Sequence, residues 1–224
     1  MQEDHCNGQE LLIPGPAGAI ETLSSCPECF NGSMPIAVIC HPHPLHGGTM
    51  RNKVVHVLAE TFVQMGLLSV TFNFRGVGKS QGRFDKGIGE QRDLIAVVRH
   101  FKKRYPHAPI WLAGFSFGSY VSLCANHECG AEQLLLVAPP VELFDFTAAP
   151  QVTIPWMVIQ GGKDEITPPE AVAAWLKSRS QRDSSAPAPI VRWMSDADHF
   201  FHGRLSRIRD TLKYVWQPLL KAAP

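Results

Sequence analysis

No apolar run in this 224-residue chain approaches the roughly 20 residues needed to cross a bilayer, so nothing in it reads as a membrane-spanning helix. The opening Met1-Gln2-Glu3-Asp4-His5 is polar and acidic and lacks the basic-then-apolar pattern of a secretory leader, and a cytoplasmic location is expected. Strong charge of either sign is missing too. Net charge is +1, and Lys and Arg are spread along the chain, which argues against nucleic acid and a membrane surface as partners. Six cysteines make a disulfide framework only in a secreted protein, so all six are read as thiols. One pair, Cys26-Pro27-Glu28-Cys29, has zinc-knuckle or redox spacing, but no second pair completes a ligand set; no metal and no cofactor is expected.

What is present reads as one α/β domain over 1–224, a length that buries a substantial core. Leu11 to Leu23, interrupted by Pro14-Gly15-Pro16-Ala17-Gly18, suggests an opening hairpin at a sheet edge. Continuous apolar runs at Pro35–Cys40, Leu67–Phe74, Ile110–Phe115, Gln133–Ala138 and Ile154–Gln160 have the character of strands buried on both faces. Between them, Val54, Leu58, Phe62 and Met65 follow helical spacing, and so do Leu94, Val97, Val98, Phe101 and Tyr105 within a helix from about Glu90 to Tyr105. A short helix is expected around Glu142 to Phe146 and another from Glu170 to Ser178. Arg179 to Pro189 reads as a surface loop, Ile190–Met194 as the last strand, and a terminal helix starts near Arg204. The connection before Ile154 is too short for a lid, which leaves an open site.

The chemistry concentrates where strands end. Gly114-Phe115-Ser116-Phe117-Gly118 closes the Ile110 strand and opens a helix-compatible segment, the setting in which a sharp turn lifts a serine hydroxyl above the sheet. Phe117 N–H, the amide after the serine, is then placed to stabilise an oxyanion. Asp164 follows the strand ending at Gln160, and His199 follows the strand ending at Met194, where open α/β sheets place their binding crevice. Serine needs a base to take its proton, and the base needs an acid to fix its tautomer. Ser116, Asp164 and His199 fill these roles in the order nucleophile, acid, base along the chain. Asp145 is the understudy acid and His202 a second base candidate. Asp198 adjoins His199 too closely in sequence to reach its ring easily.

After the Pro35 strand comes His41-Pro42-His43-Pro44-Leu45-His46-Gly47-Gly48-Thr49-Met50-Arg51-Asn52-Lys53. Three histidines in six residues invite a metal, but no carboxylate or Cys in the loop joins them, and a rigid active-site loop is the better reading. Pro42 and Pro44 carry no N–H, so a second oxyanion donor comes from His43 or Leu45. Gly78-Lys79-Ser80 imitates the end of a phosphate loop, yet Asn73 stands where the opening Gly is required.

With these residues assembled, the chain resembles the α/β-hydrolase superfamily over nearly its whole length. The His-Pro loop is similar to that of small, lidless bacterial hydrolases related to the dienelactone-hydrolase type of carboxylesterase. Ser116 stands where a dienelactone hydrolase carries Cys, and Pro42 replaces the usual Gly of the loop. The resemblance implies an α/β-hydrolase fold: a mostly parallel eight-stranded sheet with an antiparallel second strand, helices on both faces and no cap. The expected activity is hydrolysis of small-molecule esters through an acyl-enzyme. Alternatives are a thioesterase or peptidase of the same fold, or a catalytically silent binding protein. Phe115, Phe117, Phe200 and Phe201 are candidates either for an acyl pocket or for core.

Overall fold

The computed structural model describes residues 8–221; the acidic opening run Met1–His5 and the last three residues of the expected domain lie outside the described residues. Eight strands form one sheet: β1 (Gln9–Gly15), β2 (Gly18–Ser25), β3 (Ile36–Cys40), β4 (Leu68–Phe72), β5 (Ile110–Phe115), β6 (Ala131–Val137), β7 (Trp156–Gly161) and β8 (Ile190–Met194). Their spatial order is β1-β2-β4-β3-β5-β6-β7-β8. β2 runs antiparallel to both β1 and β4, and the remaining pairs are parallel. The sheet is therefore the mixed one expected, with the antiparallel strand second.

Among the described residues five α-helices flank it: α1 (Lys53–Gln64), α2 (Ile88–Arg104), α3 (Phe117–Ala125), α4 (Pro169–Arg182) and α5 (Leu205–Lys221). The central strands are buried on both faces, and their alternation divides the core in two. Ile36, Val38 and Cys40 of β3 pack with α2, α3 and α4 on one side, while Ala37 and Ile39 pack with α1 and α5 on the other. Trp111 of β5 and Phe62 of α1 meet Trp216 of α5, with ring centroids 5.1 and 6.1 Å apart. This gives α5, whose other face is wet, a large aromatic anchor.

Three expectations change. Val141 to Asp145 forms turns rather than a helix, because Pro139 and Pro140 precede it and the segment is too short to repeat a helical bond pattern. Helix α4 runs on to Arg182, so Arg179 belongs to the helix and not to a loop. Its side chain is buried, lies 5.9 and 5.5 Å from the Trp156 and Trp175 rings, and donates to Pro150 O at 2.6 Å. The aromatic faces and carbonyls replace the water that a free guanidinium would need. Cys26 is disulfide-bonded, whereas Cys29, Cys40, Cys124 and Cys129 are free. The thiol reading drew on compartment alone and fails at Cys26; the C-x-x-C spacing does not make a pair, since Cys29 is free. Among the described residues no helix is long and apolar enough to span a membrane.

Candidate active site

The turn that carries Ser116 is built by close backbone approach. Ser116 has φ 53° and ψ −121°, a conformation that a side-chain-bearing residue holds only when its surroundings enforce it. Its N–H donates to Val137 O at 2.8 Å, and its C=O accepts from Ser119 N and Ser119 Oγ. A Cβ on Gly118 would overlap Cys40 O and come within 2.7 Å of His41 O; one on Gly114 would overlap Gly118 O. Both glycines thus let α3 start directly against the end of β3. Phe117 is the first residue of α3, so its N–H is one of the helix-start donors without an intrahelical acceptor.

The turns that carry Asp164 and His199 are brought together by the same device. Gly161 and Gly162 end β7 so closely against the chain after β8 that a Cβ on Gly162 would lie 2.7 Å from Ser195 Cα. Gly162 N–H donates to Met194 O at 2.8 Å and Lys163 N–H to Ala197 O at 2.9 Å. The result is a line of hydrogen bonds. Ser116 Oγ lies 3.0 Å from His199 Nε2, and His199 Nδ1 lies 2.8 Å from Asp164 Oδ2. Asp164 is held further: its Oδ1 accepts from Ile166 N at 3.0 Å and Thr167 N at 2.7 Å, and its Oδ2 accepts from Gln160 Nε2 at 3.0 Å. Asp164 and His199 are both buried. Four donors hold the Asp164 carboxylate in place against the imidazole. Gln160 carries no motif; only its place on the last turn of β7 reveals it.

The understudies are elsewhere. His202 is exposed and pairs with Asp198 at 2.7 Å. Asp145 reaches the cavity rim, but its Oδ1 accepts from Thr147 N, Ala148 N and Thr147 Oγ1, closing a local turn and holding its carboxyl below the usual range.

The His-Pro loop divides its labour. His41 is fully buried; its Nδ1 lies 2.6 Å from Pro42 O and its Nε2 accepts from Phe74 N at 3.0 Å, which binds the loop to the end of β4. Burial pushes its pKa down to about 3, so it is a neutral bridge. Asn73 Oδ1 accepts from Met50 N at 2.8 Å, and Asn52 caps α1 through Val54 N at 2.9 Å. His43 lines the cavity, and its pKa is lowered first by burial and then by His46. Leu45 N–H is committed to His43 Nδ1 at 3.2 Å, and its side chain is exposed outside the cavity lining. Of these two residues, His43 belongs to the cavity lining and Leu45 does not. In the Gly78 loop, Lys79 N–H is used by the buried Glu21 carboxylate at 2.8 Å.

A cavity of about 900 Å³ opens above Ser116 and His199. Phe84, Phe117, Tyr120, Leu143, Phe144 and Ile166 supply apolar wall, with Phe117 and Phe144 centroids 5.1 Å apart and Tyr120 stacked on Phe144 at 5.1 Å. Phe200 also lines it, while Phe115 and Phe201 are core. The four aromatics of the sequence reading thus split between the two roles. Partial burial pushes the Tyr120 phenol up to about 12, keeping it neutral. Phe84 and Phe144 lacked any sequence signal, since they enter from loops distant in the chain.

Comparison with known proteins gives a consistent picture. A family model described as serine aminopeptidase, S33, matches residues 38–146. The chain is 44% identical to an α-β serine hydrolase homologue from Coxiella burnetii, with a TM-score of 0.85, covering 94% of this chain and 98% of the other. It is 38% identical, with a TM-score of 0.88 and 97% of each chain covered, to a Xanthomonas campestris protein described as an α/β serine hydrolase without lid. A protein of Rickettsia prowazekii (strain Madrid E), described as uncharacterized, is 33% identical over 197 residues, 86% of this chain and 82% of its own.

Proposed function

Since this chain belongs to the α/β serine hydrolases, we propose that it hydrolyses small carboxylic esters through an acyl-enzyme on Ser116. The observation that carries the reading is the unbroken line from Ser116 Oγ through His199 to Asp164 at the floor of an open, largely apolar cavity. Ser116 Oγ attacks the ester carbonyl carbon as its proton passes to His199 Nε2; Asp164 holds the Nδ1–H tautomer and stabilises the imidazolium. The tetrahedral oxyanion is met by Phe117 N–H at the start of α3 and by His43 N–H. Collapse expels the alcohol, which takes the proton from His199. Water then attacks the acyl carbon, gives its proton to His199, and releases the carboxylic acid and Ser116.

A second reading, cleavage of an amide at a peptide N-terminus, is favoured by the description of the matched family model and uses the same atoms with an amine as leaving group. One experiment separates the readings. Wild type and Ser116→Ala are assayed on activated esters of increasing acyl length and on aminoacyl amides, with fluorophosphonate labelling mapped by mass spectrometry. Ester turnover that falls by at least about 10³-fold in Ser116→Ala, with the label on Ser116, supports the proposal. Amide turnover exceeding ester turnover favours the peptidase. Folded protein that neither labels nor turns over is a binding module.

A further inference from the structure

One cation at the cavity has no ion-pair partner among the described residues. Lys86 lines the cavity, and its backbone has φ 52°, a left-handed conformation uncommon for a residue with a side chain. The turn is clamped from below. Glu90, fully buried in the first turn of α2, accepts from Asp85 N and Gly87 N, each at 2.8 Å, and so holds the residues on both sides of Lys86. Gly87 packs so tightly against the cavity wall that a Cβ there would sit 2.8 Å from Tyr120 Cε1. The acids nearby have other engagements. Asp85 lies 3.8 Å from Arg75 Nη1, Asp93 pairs with the same guanidinium at 2.8 Å, and Asp145, across the rim, closes its own turn. Among the described residues Lys86 makes no ion pair, so the turn held by Glu90 brings an exposed, unpaired lysine to the lining of a largely apolar cavity.

We propose that Lys86 is a specificity residue that receives a carboxylate on the substrate, making the preferred esters half-esters of dicarboxylic acids or esters of similar charge. The apolar wall of Phe117, Tyr120 and Phe144 accommodates the methylene spacer, and Lys86 receives the anionic end at the rim. The turnover part of this proposal rests on the ester-hydrolase reading; the binding part does not.

The test uses the full chain carrying Ser116→Ala, which binds esters without consuming them. Calorimetric titration compares a dicarboxylic half-ester with the same molecule capped as a neutral methyl diester. The half-ester binds about fivefold more tightly at low ionic strength, the upper range for a solvent-accessible ion pair, and the advantage shrinks in added salt. Lys86→Met abolishes the advantage and Lys86→Arg retains it. Lys86→Asn, which tolerates the left-handed backbone, behaves as Lys86→Met and guards against a folding artefact. Equal affinity for the two esters, or an advantage unchanged in Lys86→Met and Lys86→Asn, overturns the proposal. A wild-type protein that binds with the charge preference but hydrolyses neither ester refutes the reaction and leaves the carboxylate site standing.

Discussion

Gln160 and His199 share one oxygen of Asp164: Gln160 Nε2 lies 3.0 Å and His199 Nδ1 2.8 Å from Oδ2. The buried amide also donates to Thr167 O at 2.9 Å, so it ties the acid to the turn that carries it. Its loss removes one of the four donors that fix Asp164 relative to the imidazole.

Gln160→Met therefore lowers kcat for the best activated ester by about tenfold, corresponding to one hydrogen bond to a charged group, with little change in KM. Steady-state kinetics on the purified variant decide it. A rise in KM at constant kcat would mean that Gln160 serves binding rather than the acid.

Gly118→Ala places a methyl group on the carbonyls of Cys40 and His41, backbone atoms that no rotamer change can move. The variant loses about 2–3 kcal/mol of stability in urea unfolding, and its residual folded fraction labels poorly with fluorophosphonate because Ser116 is displaced. Wild-type labelling and stability in this variant would show that the elbow does not need the close approach.

His41 gives the acid limb of stability a defined sign. Its folded value, about 3, lies below the ordinary 6.5, so the unfolded chain binds the proton first. The contribution is complete above about pH 6.5 and is lost as pH falls towards 3, at a slope of up to about 1.4 kcal/mol per pH unit. His41→Gln is less stable at neutral pH but flatter between pH 6 and 4 in urea titrations. An equal slope in both proteins would remove His41 from the account.

Phe144→Ala removes the ring that stacks on Tyr120 and meets Phe117 in the cavity wall. In an ester series the optimum moves to longer acyl chains by about two methylenes, each contributing roughly 0.8 kcal/mol of burial. An unchanged profile would place the acyl group elsewhere in the cavity.

Much of this protein is written locally. The strands Ile36–Cys40 and Ile110–Phe115 are continuous apolar runs, and the helices Lys53–Gln64 and Ile88–Arg104 carry their period openly, because burial on two faces or one stripe imposes a residue pattern at short range. The placing of Ser116, Asp164 and His199 just past strand ends is legible for a related reason: the pattern marks where each strand stops. What the sequence could not decide depends on contacts between segments far apart in the chain. The extension of α4 through Arg179 requires Trp156, Trp175 and the Pro150 carbonyl to receive a guanidinium. Bonding at Cys26 and the support of Asp164 by Gln160 are likewise contacts between positions, and composition carries no record of them. The engagement of the Leu45 amide depends on the His43 side chain folding back onto it across two residues. Local pattern reports which face of an element is buried; only the packed structure determines which partners meet on that face, because hydrogen bonds and ring contacts depend on distances of a few ångströms.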